Sequence, residues 1–274
     1  MLQKLYRKGA LMLVKSQVLS QFTELVCGFS TAADGNMSYK KGDPEADANN
    51  RAFYAKLGID PDKYQILNPE LRHGGNVAVA KTALLKKGYT EINMYSSEVM
   101  VFEKGPLKYT SARDALRGID AVMSNRTRCL LTIRPADCGP LYIYDPSKKA
   151  FGLIHCSTAS LFSKIIERGI NMMRGYFGSQ PGDIHCYLGP GISYDAYELC
   201  TTGLYHRILR DEMSMEQAIA YDPKGHVKAE LQKSGIPKQH IEISPLCTAS
   251  PDALFFSNHR DQDPRRHIAV IGLR

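Results

Sequence analysis

The chain has 274 residues, of which 43% are hydrophobic and 23% are charged. This composition excludes disordered, collagen-like and short disulfide-stapled proteins. The formal net charge of +7 comes from 35 basic and 28 acidic residues, and the surplus is spread along the chain without a basic stripe. We therefore expect no nucleic-acid partner, whereas small anionic ligands are compatible with the charge.

The seven cysteines include no Cys-x-x-Cys pair and lie mostly in apolar runs, which indicates reduced thiols in the cytoplasm. The apolar run at residues 10–14 is interrupted by Lys15 before it reaches the length of a signal-peptide core. No apolar stretch reaches the roughly 18 residues that span a bilayer. We expect a cytoplasmic protein without membrane association.

Short β-branched runs between turn residues predict strands, and apolar residues at helical spacing predict helices. The length favours one domain covering residues 1–274, with residues 1–20 at its periphery. In chain order the predicted elements are a strand at 24–29, a helix at 47–57, strands at 76–80, 120–123, 129–133, 141–144 and 150–155, helices at 159–176, 204–212 and 227–234, and strands at 241–244 and 267–272.

Three residues at the edges of predicted elements could carry chemistry: His73 in LRHGG, Cys138 in PADCGP and His155 in LIHCST. One thiolate and two imidazoles suit a tetrahedral zinc ion with a fourth position left open, which is the catalytic zinc pattern. Alternatively, Cys138 is a nucleophile with His155 as its base. A third reading makes the cysteine a small buried hydrophobe and the histidines hydrogen-bonded structural residues.

Other polar residues near these positions allow both functional and structural interpretations. Asp137 could orient a ligand histidine, although a cap on the following turn is favoured. Arg134 and Arg260 could bind an anionic substrate if the fold brings their loops together, or they could be solvated surface charges. Glu198 receives no role, and the glycines at 189 and 191 suit either a turn or close approach to a ligand.

The motifs FST from Phe29, HGGNVAV from His73, ADCGPLYIYDP from Ala136, IHC and FFSNHRD occur in this order. Together they resemble the laccase-domain family, over about residues 28 to 273. Members of that family are labelled multicopper polyphenol oxidases, peptidoglycan editing factors, or purine nucleoside phosphorylases and deaminases. The resemblance implies a single α+β domain of mixed β-sheets flanked by helices, similar to cysteine hydrolases. It also implies that His73, Cys138 and His155 are the metal ligands.

A multicopper centre uses many imidazoles, including His-x-His pairs, whereas this chain has eight histidines and no such pair. Zinc is therefore favoured over copper, although one cysteine and two histidines can also bind a single copper ion. The resemblance then implies a zinc-dependent enzyme that acts on purine nucleosides. Its partners would be a nucleoside, with water attacking C6 in deamination or phosphate attacking C1′ in phosphorolysis.

The chain departs from the family pattern at positions expected to contact substrate. Ala32 in FSTA and Ala159 in HCSTAS stand where the family has arginines, and Arg134 and Arg260 are the candidates to compensate. Three alternatives therefore stay open beside the zinc enzyme. They are a copper-dependent polyphenol oxidoreductase, a metal-free Cys–His hydrolase or amidase, and a metal-holding relative that has lost catalysis.

Overall fold

The computed structural model of the chain describes residues 6–8, 11–38, 43–80, 99–102, 116–197, 213–252 and 254–274. Its strands are β1 (Tyr6–Lys8), β2 (Leu11–Leu13), β3 (Leu25–Phe29), β4 (Gln65–Leu67), β5 (Val77–Ala80), β6 (Val99–Phe102), β7 (Ala121–Ser124), β8 (Cys129–Ile133), β9 (Gly139–Asp145), β10 (Ala150–Cys156), β11 (His185–Leu188), β12 (Ile241–Ile243) and β13 (Ala269–Leu273). Its helices are α1 (Pro44–Lys56), α2 (Thr158–Phe162), α3 (Ile165–Met172), α4 (Met215–Ile219), α5 (Pro223–Lys233) and α6 (Asn258–Asp261). No helix in these ranges is long and apolar enough to cross a membrane.

Two mixed β-sheets form the centre of the fold. The larger has seven strands in the order β12-β11-β9-β10-β7-β5-β6, and the smaller has four in the order β3-β13-β8-β4. In the larger sheet, β10 runs antiparallel to both β9 and β7, whereas β5 runs parallel to β7. Among the described strands, β1 and β2 pair with each other and belong to neither sheet.

The two sheets pack face to face, and helices cover their outer faces. Alternation along β9 shows the arrangement: Tyr142 and Tyr144 belong to the core between the sheets, whereas Leu141 and Ile143 pack toward α2, α3 and α5. The outer face of the smaller sheet packs on α1. Because side chains of a strand alternate between the two faces of a sheet, fully buried strands supply both cores at once.

Hydrogen bonds from two buried tyrosines connect the sheets. The Tyr142 hydroxyl of β9 donates to the carbonyl oxygen of Gly28 in β3 over 2.9 Å. The Tyr144 hydroxyl donates to a carboxylate oxygen of Glu24, immediately before β3, over 2.7 Å. Both side chains are almost completely buried, so these bonds satisfy hydroxyl groups that burial would otherwise leave without partners.

The predicted α+β fold of mixed sheets and flanking helices is confirmed, and β8 has the predicted bounds. The α1 helix begins earlier than predicted, because the Asp43 side chain caps it by accepting from the Ala46 amide. Val14 and Leu19 are buried in the core between the sheets, so residues 1–20 are not all peripheral. The predicted helix at 204–212 lies outside the described residues.

The prediction of one continuous helix over residues 159–176 is wrong. The α2 helix ends before Ser163, and Lys164 adopts a left-handed backbone conformation with φ of 58° before α3 begins. A wider helical turn, Met173–Phe177, then follows α3. The apolar spacing correctly predicts which residues face the core, but it cannot locate this break because Ser163 and Lys164 both lie on the polar side of the pattern.

Candidate metal centre

The structure brings His73, Cys138 and His155 together. Their potential ligand atoms all lie within 4.8 Å of one another. His73 follows β4 in a loop, Cys138 immediately precedes β9, and His155 is near the end of β10. Pairing of β9 with β10 places His155 opposite Pro140, two residues from Cys138. His155 is buried, Cys138 is half-buried and His73 is exposed, so the cluster opens on one side.

Asp120 holds the His155 ring from behind. Its Oδ1 atom lies 2.9 Å from His155 Nδ1, and its backbone carbonyl accepts from the His155 amide over 2.8 Å. Asp120 directly precedes β7, which pairs with β10, so sheet register brings the two residues together. With Nδ1 directed to the carboxylate, Nε2 is the ring nitrogen that remains for Cys138.

The same carboxylate orders the loop that carries His73. Asp120 accepts hydrogen bonds from the backbone amides of Arg72, His73 and Gly74 over 3.3, 2.9 and 2.8 Å. His73 itself has a left-handed backbone with φ of 59°, which lets successive amides converge on one anion. One buried carboxylate therefore positions two of the three candidate ligands.

Sequence reasoning missed Asp120. Asp120 was predicted as the first residue of a strand and received no role at the site, because no local pattern connects it with a histidine 35 positions later. The carboxylate considered for this role was Asp137, and that interpretation is wrong. Asp137 accepts from the Thr248 hydroxyl and from the His259 amide, both over 2.8 Å. These partners belong to distant segments, so Asp137 ties the late loops to the site and does not cap the following turn.

The electrostatics of the cluster favour a charged cysteine. Burial alone would raise the pKa of the Cys138 thiol, but the imidazoles of His155 and His73 lower it to about 6. Burial opposes protonation of His155, yet the Cys138 sulfur and the Asp120 carboxylate raise its pKa to about 10. For Asp120, the hydrogen bond from His155 outweighs burial and lowers the pKa. Cys138 therefore carries the thiolate that both a metal ligand and a nucleophile require.

The donor set fits a single metal ion of borderline softness. A thiolate with two imidazoles suits zinc, and it can also bind one copper ion. In the described part of the chain, this is the single cluster of three or more histidine, cysteine or acidic side chains close enough to hold a metal. A fully buried carboxylate behind a ligand histidine is the usual outer partner in such sites.

Two cavities meet at the cluster. The larger has a volume of about 1090 Å³ and the smaller about 410 Å³. His73 and Cys138 border both cavities, together with Asn258, whereas His155 borders the smaller one. The candidate ligands therefore stand between two spaces that could each admit a molecule.

The wall of the larger cavity includes Ala159, Tyr197 and Lys224. The Lys224 ammonium donates to the Ser193 hydroxyl and to the carbonyls of Ser244 and Leu246, over 2.8 to 3.0 Å. It thereby fastens α5 to two loops that line or support the cavity. Burial lowers the pKa of Lys224 to about 8.

The two arginines predicted to bind substrate occupy different places. Arg134 borders the smaller cavity, but its guanidinium donates to the Met37 carbonyl over 2.7 Å, to the Asn50 side chain over 2.9 Å and to Asn68. Arg260 borders neither cavity and donates to Asp261 and to the backbone carbonyls of Thr248, Ser250 and Phe255. A substrate-binding role for either stays a prediction. Glu198 lies outside the described residues.

The glycine at 191 serves close packing of backbone segments, whereas a Cβ atom on Gly189 would lie 2.9 Å from a side-chain atom of Pro140. A Cβ atom on Gly191 would lie 2.9 Å from the Gly139 Cα atom and 3.1 Å from the Asp137 carbonyl oxygen. The Ile192 amide also donates to that carbonyl over 2.7 Å. Glycine at 191 thus lets this loop press directly against the backbone that carries Cys138.

Comparison with known proteins places this site in a family. A family model described as multi-copper polyphenol oxidoreductase laccase matches residues 20–274. Purine nucleoside phosphorylase YlmD of Bacillus subtilis (strain 168) is 28% identical over 180 residues, which span 62% of this chain and 63% of that protein. Purine nucleoside phosphorylase SAR1163 of Staphylococcus aureus (strain MRSA252) is 24% identical over 280 residues, covering 97% of this chain and 98% of its own length.

Solved structures show the same fold. The crystal structure of YlmD from Geobacillus stearothermophilus matches with a TM-score of 0.74 and 22% identity, covering 98% of this chain and 99% of that one. The crystal structure of the Bacillus licheniformis hypothetical protein YfiH matches with a TM-score of 0.70 and 21% identity, covering 96% of each chain. At these identities the similarity concerns the fold alone.

Proposed function

Because the chain belongs to the multi-copper polyphenol oxidoreductase laccase family, we propose that it is a metal-dependent enzyme acting on purine nucleosides. The reaction is phosphorolysis, deamination or both. The observation that carries the proposal is the convergence of His73, Cys138 and His155 within 4.8 Å, at the meeting point of two cavities. The names of the relatives supply the substrate class.

In this proposal His73, Cys138 and His155 hold zinc, which when bound supplies Lewis acidity and lowers the pKa of water. Residues of the chain position the ligands and exclude water. Asp120 keeps His155 Nδ1 protonated and orients the ring, so that Nε2 faces the site. The amides of the His73 loop are held by the same carboxylate, which limits motion of the most exposed ligand. Burial of His155 excludes water from the inner side of the cluster.

Zinc is preferred over redox copper because of the donor groups. Multicopper chemistry needs several metal ions close together, fed by many imidazoles. The described residues contain a single cluster of potential ligands with two histidines, which is enough for one ion. A mononuclear zinc site is therefore the arrangement that these side chains support best.

Both candidate reactions balance with the partners proposed. In phosphorolysis, a phosphate oxygen forms a bond to C1′ of the ribose while the bond from C1′ to the purine nitrogen breaks. The base leaves with the electron pair and takes up the proton released by phosphate. In deamination, water adds its oxygen to C6 and the amino group leaves as ammonia. Phosphorolysis needs room for two reactants, and the two cavities that border Cys138 provide it.

The decisive experiment combines elemental analysis with turnover. We expect the purified protein to hold about one zinc ion per chain and to convert adenosine or inosine to free base with phosphate, or adenosine to inosine without it. The Cys138→Ala variant should lose both zinc and activity. Cys27→Ala is the matched control, because Cys27 lies in β3 and borders neither cavity.

The proposal fails if metal-replete wild-type protein turns over no purine nucleoside with or without phosphate. Bound zinc without turnover would indicate the metal-holding relative that lacks catalysis. Stoichiometric copper with oxidation of phenols would indicate the polyphenol oxidoreductase.

A second candidate function is a metal-free cysteine hydrolase. The observation that favours it is the arrangement of Cys138, His155 and Asp120, with the pKa of the thiol lowered to about 6 and a carboxylate on the far side of the imidazole. Such a series of nucleophile, base and orienting acid can attack an amide carbonyl. Rapid alkylation of Cys138 by iodoacetamide in chelator-treated protein, together with activity that survives chelation, would establish this function instead.

A further inference from the structure

The smaller cavity is lined by positively charged side chains and by hydrogen-bond donors that have no partner among the described residues. The charged or titratable side chains along its wall are Glu70, His73, Arg134, Cys138, His155 and Arg266. The Glu70 carboxylate is engaged by the guanidinium groups of Arg72 and Arg117 outside the cavity. Glu70 therefore brings little net negative charge into the space, and the thiolate of Cys138 interacts with the imidazoles of His155 and His73.

The two arginines of this wall differ in what they can offer a ligand. Arg134 is committed to the Met37 carbonyl and to the Asn50 and Asn68 side chains, so it braces the wall. Arg266 donates from Nη1 to the backbone carbonyls of Asp263 and Arg265, over 3.2 and 2.9 Å. Within the described ranges, its Nε and Nη2 atoms have no hydrogen-bond partner.

The spared edge of Arg266 has the geometry that oxyanions prefer. The N–H bonds of Nε and Nη2 run parallel along one side of the guanidinium plane, which matches two oxygens of a phosphoryl group. Asp263, an acidic side chain of the same loop, is bound by Arg265 through both of its carboxylate oxygens. Asp263 interacts electrostatically with Arg266 as well, but among the described residues its carboxylate forms no hydrogen bond with Nε or Nη2 of Arg266.

A second donor stands at the junction of the cavities. Asn258 borders both of them, as do His73 and Cys138. Its side-chain amide has no hydrogen-bond partner in the part of the chain that the structure describes. An anion held by Arg266 would thus have a neutral donor between it and the larger cavity.

We propose that the smaller cavity binds inorganic phosphate, with Arg266 as the residue that holds it and Asn258 as a second donor. The assignment deepens the proposed function, on which it rests, because it names where the phosphate of phosphorolysis is held. The nucleoside then occupies the larger cavity, and the attacking oxygen approaches C1′ across the border formed by Asn258, His73 and Cys138. Arg134, the arginine nearest the cysteine in sequence, supports the wall and does not bind the phosphate.

Phosphate binding is measured directly, by titration calorimetry of the zinc-loaded full chain with inorganic phosphate and no nucleoside. Arg266→Gln should weaken binding on the order of ten- to hundredfold, since hydrogen bonds to a charged group are lost. The phosphate affinity of Arg266→Lys should lie between those of wild type and Arg266→Gln, because lysine keeps the charge and loses the paired donors. Arg174→Gln is the matched control, since Arg174 is exposed and borders neither cavity, and this variant should leave phosphate affinity unchanged.

Equal phosphate affinity in wild type and Arg266→Gln, or no measurable binding by wild type, overturns the proposal. If Arg266→Gln does not fold, Asn258→Asp tests the proposal instead. This variant keeps the shape of the side chain, and the repulsion between its carboxylate and phosphate should lower phosphate affinity at least tenfold. Unchanged affinity in that variant likewise overturns it. Inosine 5′-monophosphate distinguishes the source of the phosphoryl group: tighter binding than free phosphate that depends on Arg266 would overturn the assignment to inorganic phosphate.

The two proposals fail in different ways. Arg266-dependent phosphate binding without any nucleoside turnover rejects the proposed function and supports the phosphate site. Phosphorolysis whose KM for phosphate is the same in wild type and Arg266→Gln supports the proposed function and rejects the site. If the proposed function and the phosphate site are both correct, Arg266→Gln raises the KM for phosphate and leaves the KM for the nucleoside near its wild-type value.

Discussion

Oδ1 of Asp120 lies 2.9 Å from Nδ1 of His155, and the two residues are completely or almost completely buried. The bond connects the end of one strand to the start of its antiparallel neighbour. It makes the orientation of the His155 ring a property of the larger sheet, so the site depends on a residue that touches none of the proposed reactants.

Asp120→Asn should weaken zinc binding on the order of ten- to hundredfold, because the outer partner of a ligand histidine is lost. The amide also turns one acceptor oxygen into a donor that faces the Arg72 and Gly74 amides. A competition titration with a chromophoric chelator measures the affinity. Asp62→Asn is the control, since Asp62 is exposed and pairs with Arg51. An affinity equal to that of wild type would contradict the assigned role.

Lys224→Met should destabilise the protein on the order of 2 kcal/mol, because the Ser244 and Leu246 carbonyls lose a charged donor. The loosened wall should also raise the KM for the nucleoside, while zinc content stays at the wild-type value. Urea unfolding and steady-state kinetics measure the two effects. Lys228→Met, at an exposed position of the same helix, should change neither. A KM that does not move would show that Lys224 has no part in shaping the cavity.

His267 should make stability fall in mild acid. Burial lowers the pKa of His267 to about 4 from 6.5, and its Nε2 atom accepts from the Phe256 amide over 2.8 Å. Between these two pH values the unfolded chain binds a proton and the folded chain does not, so stability decreases as the pH falls. Relative to His267→Gln, the wild type should lose about 3 kcal/mol between pH 6.5 and 4. Unfolding curves across this range that run parallel for both proteins would refute the prediction.

Tyr142→Phe should lower the free energy of unfolding by about 1 kcal/mol, because the Gly28 carbonyl loses its donor. The ring still fills the core between the sheets, so zinc content and turnover should not change. Thermal and urea denaturation measure the stability. Tyr194→Phe is the control at an exposed tyrosine. A stability equal to that of wild type would mean that the hydroxyl contributes no net energy to joining the sheets.

Local sequence patterns predicted most of the strands, because turn residues mark where these strands begin and end. β8 has the predicted bounds because turn residues flank a short apolar run on both sides. The continuous helix predicted over 159–176 is interrupted at Lys164. Apolar spacing indicates which side chains face the core, but it does not indicate a left-handed backbone conformation at a single polar residue. The ligand triplet could be suggested from residue types, each beside a turn.

The partners of the site could not be predicted in the same way. Proximity to Cys138 in the sequence favoured Arg134, yet the guanidinium of Arg134 meets Asn50 and Asn68, which lie 84 and 66 positions away. The sequence offers no comparable signal for Arg266, which lies in a polar loop between the last predicted elements. Which of two arginines keeps a donor edge for a ligand depends on contacts that no local pattern contains.

By itself, the amino-acid sequence determined the periodic burial of strands and helices and supplied a thiol and two imidazoles with the right chemistry for a metal. Only the tertiary structure decided that these three groups meet, that Asp120 stands behind His155, and that Arg266 keeps a free edge beside the smaller cavity. The physical reason is the distance along the chain over which each interaction acts. Backbone preferences and apolar alternation act over a few residues, whereas the register of β7, β9 and β10 sets distances between side chains that are far apart along the chain.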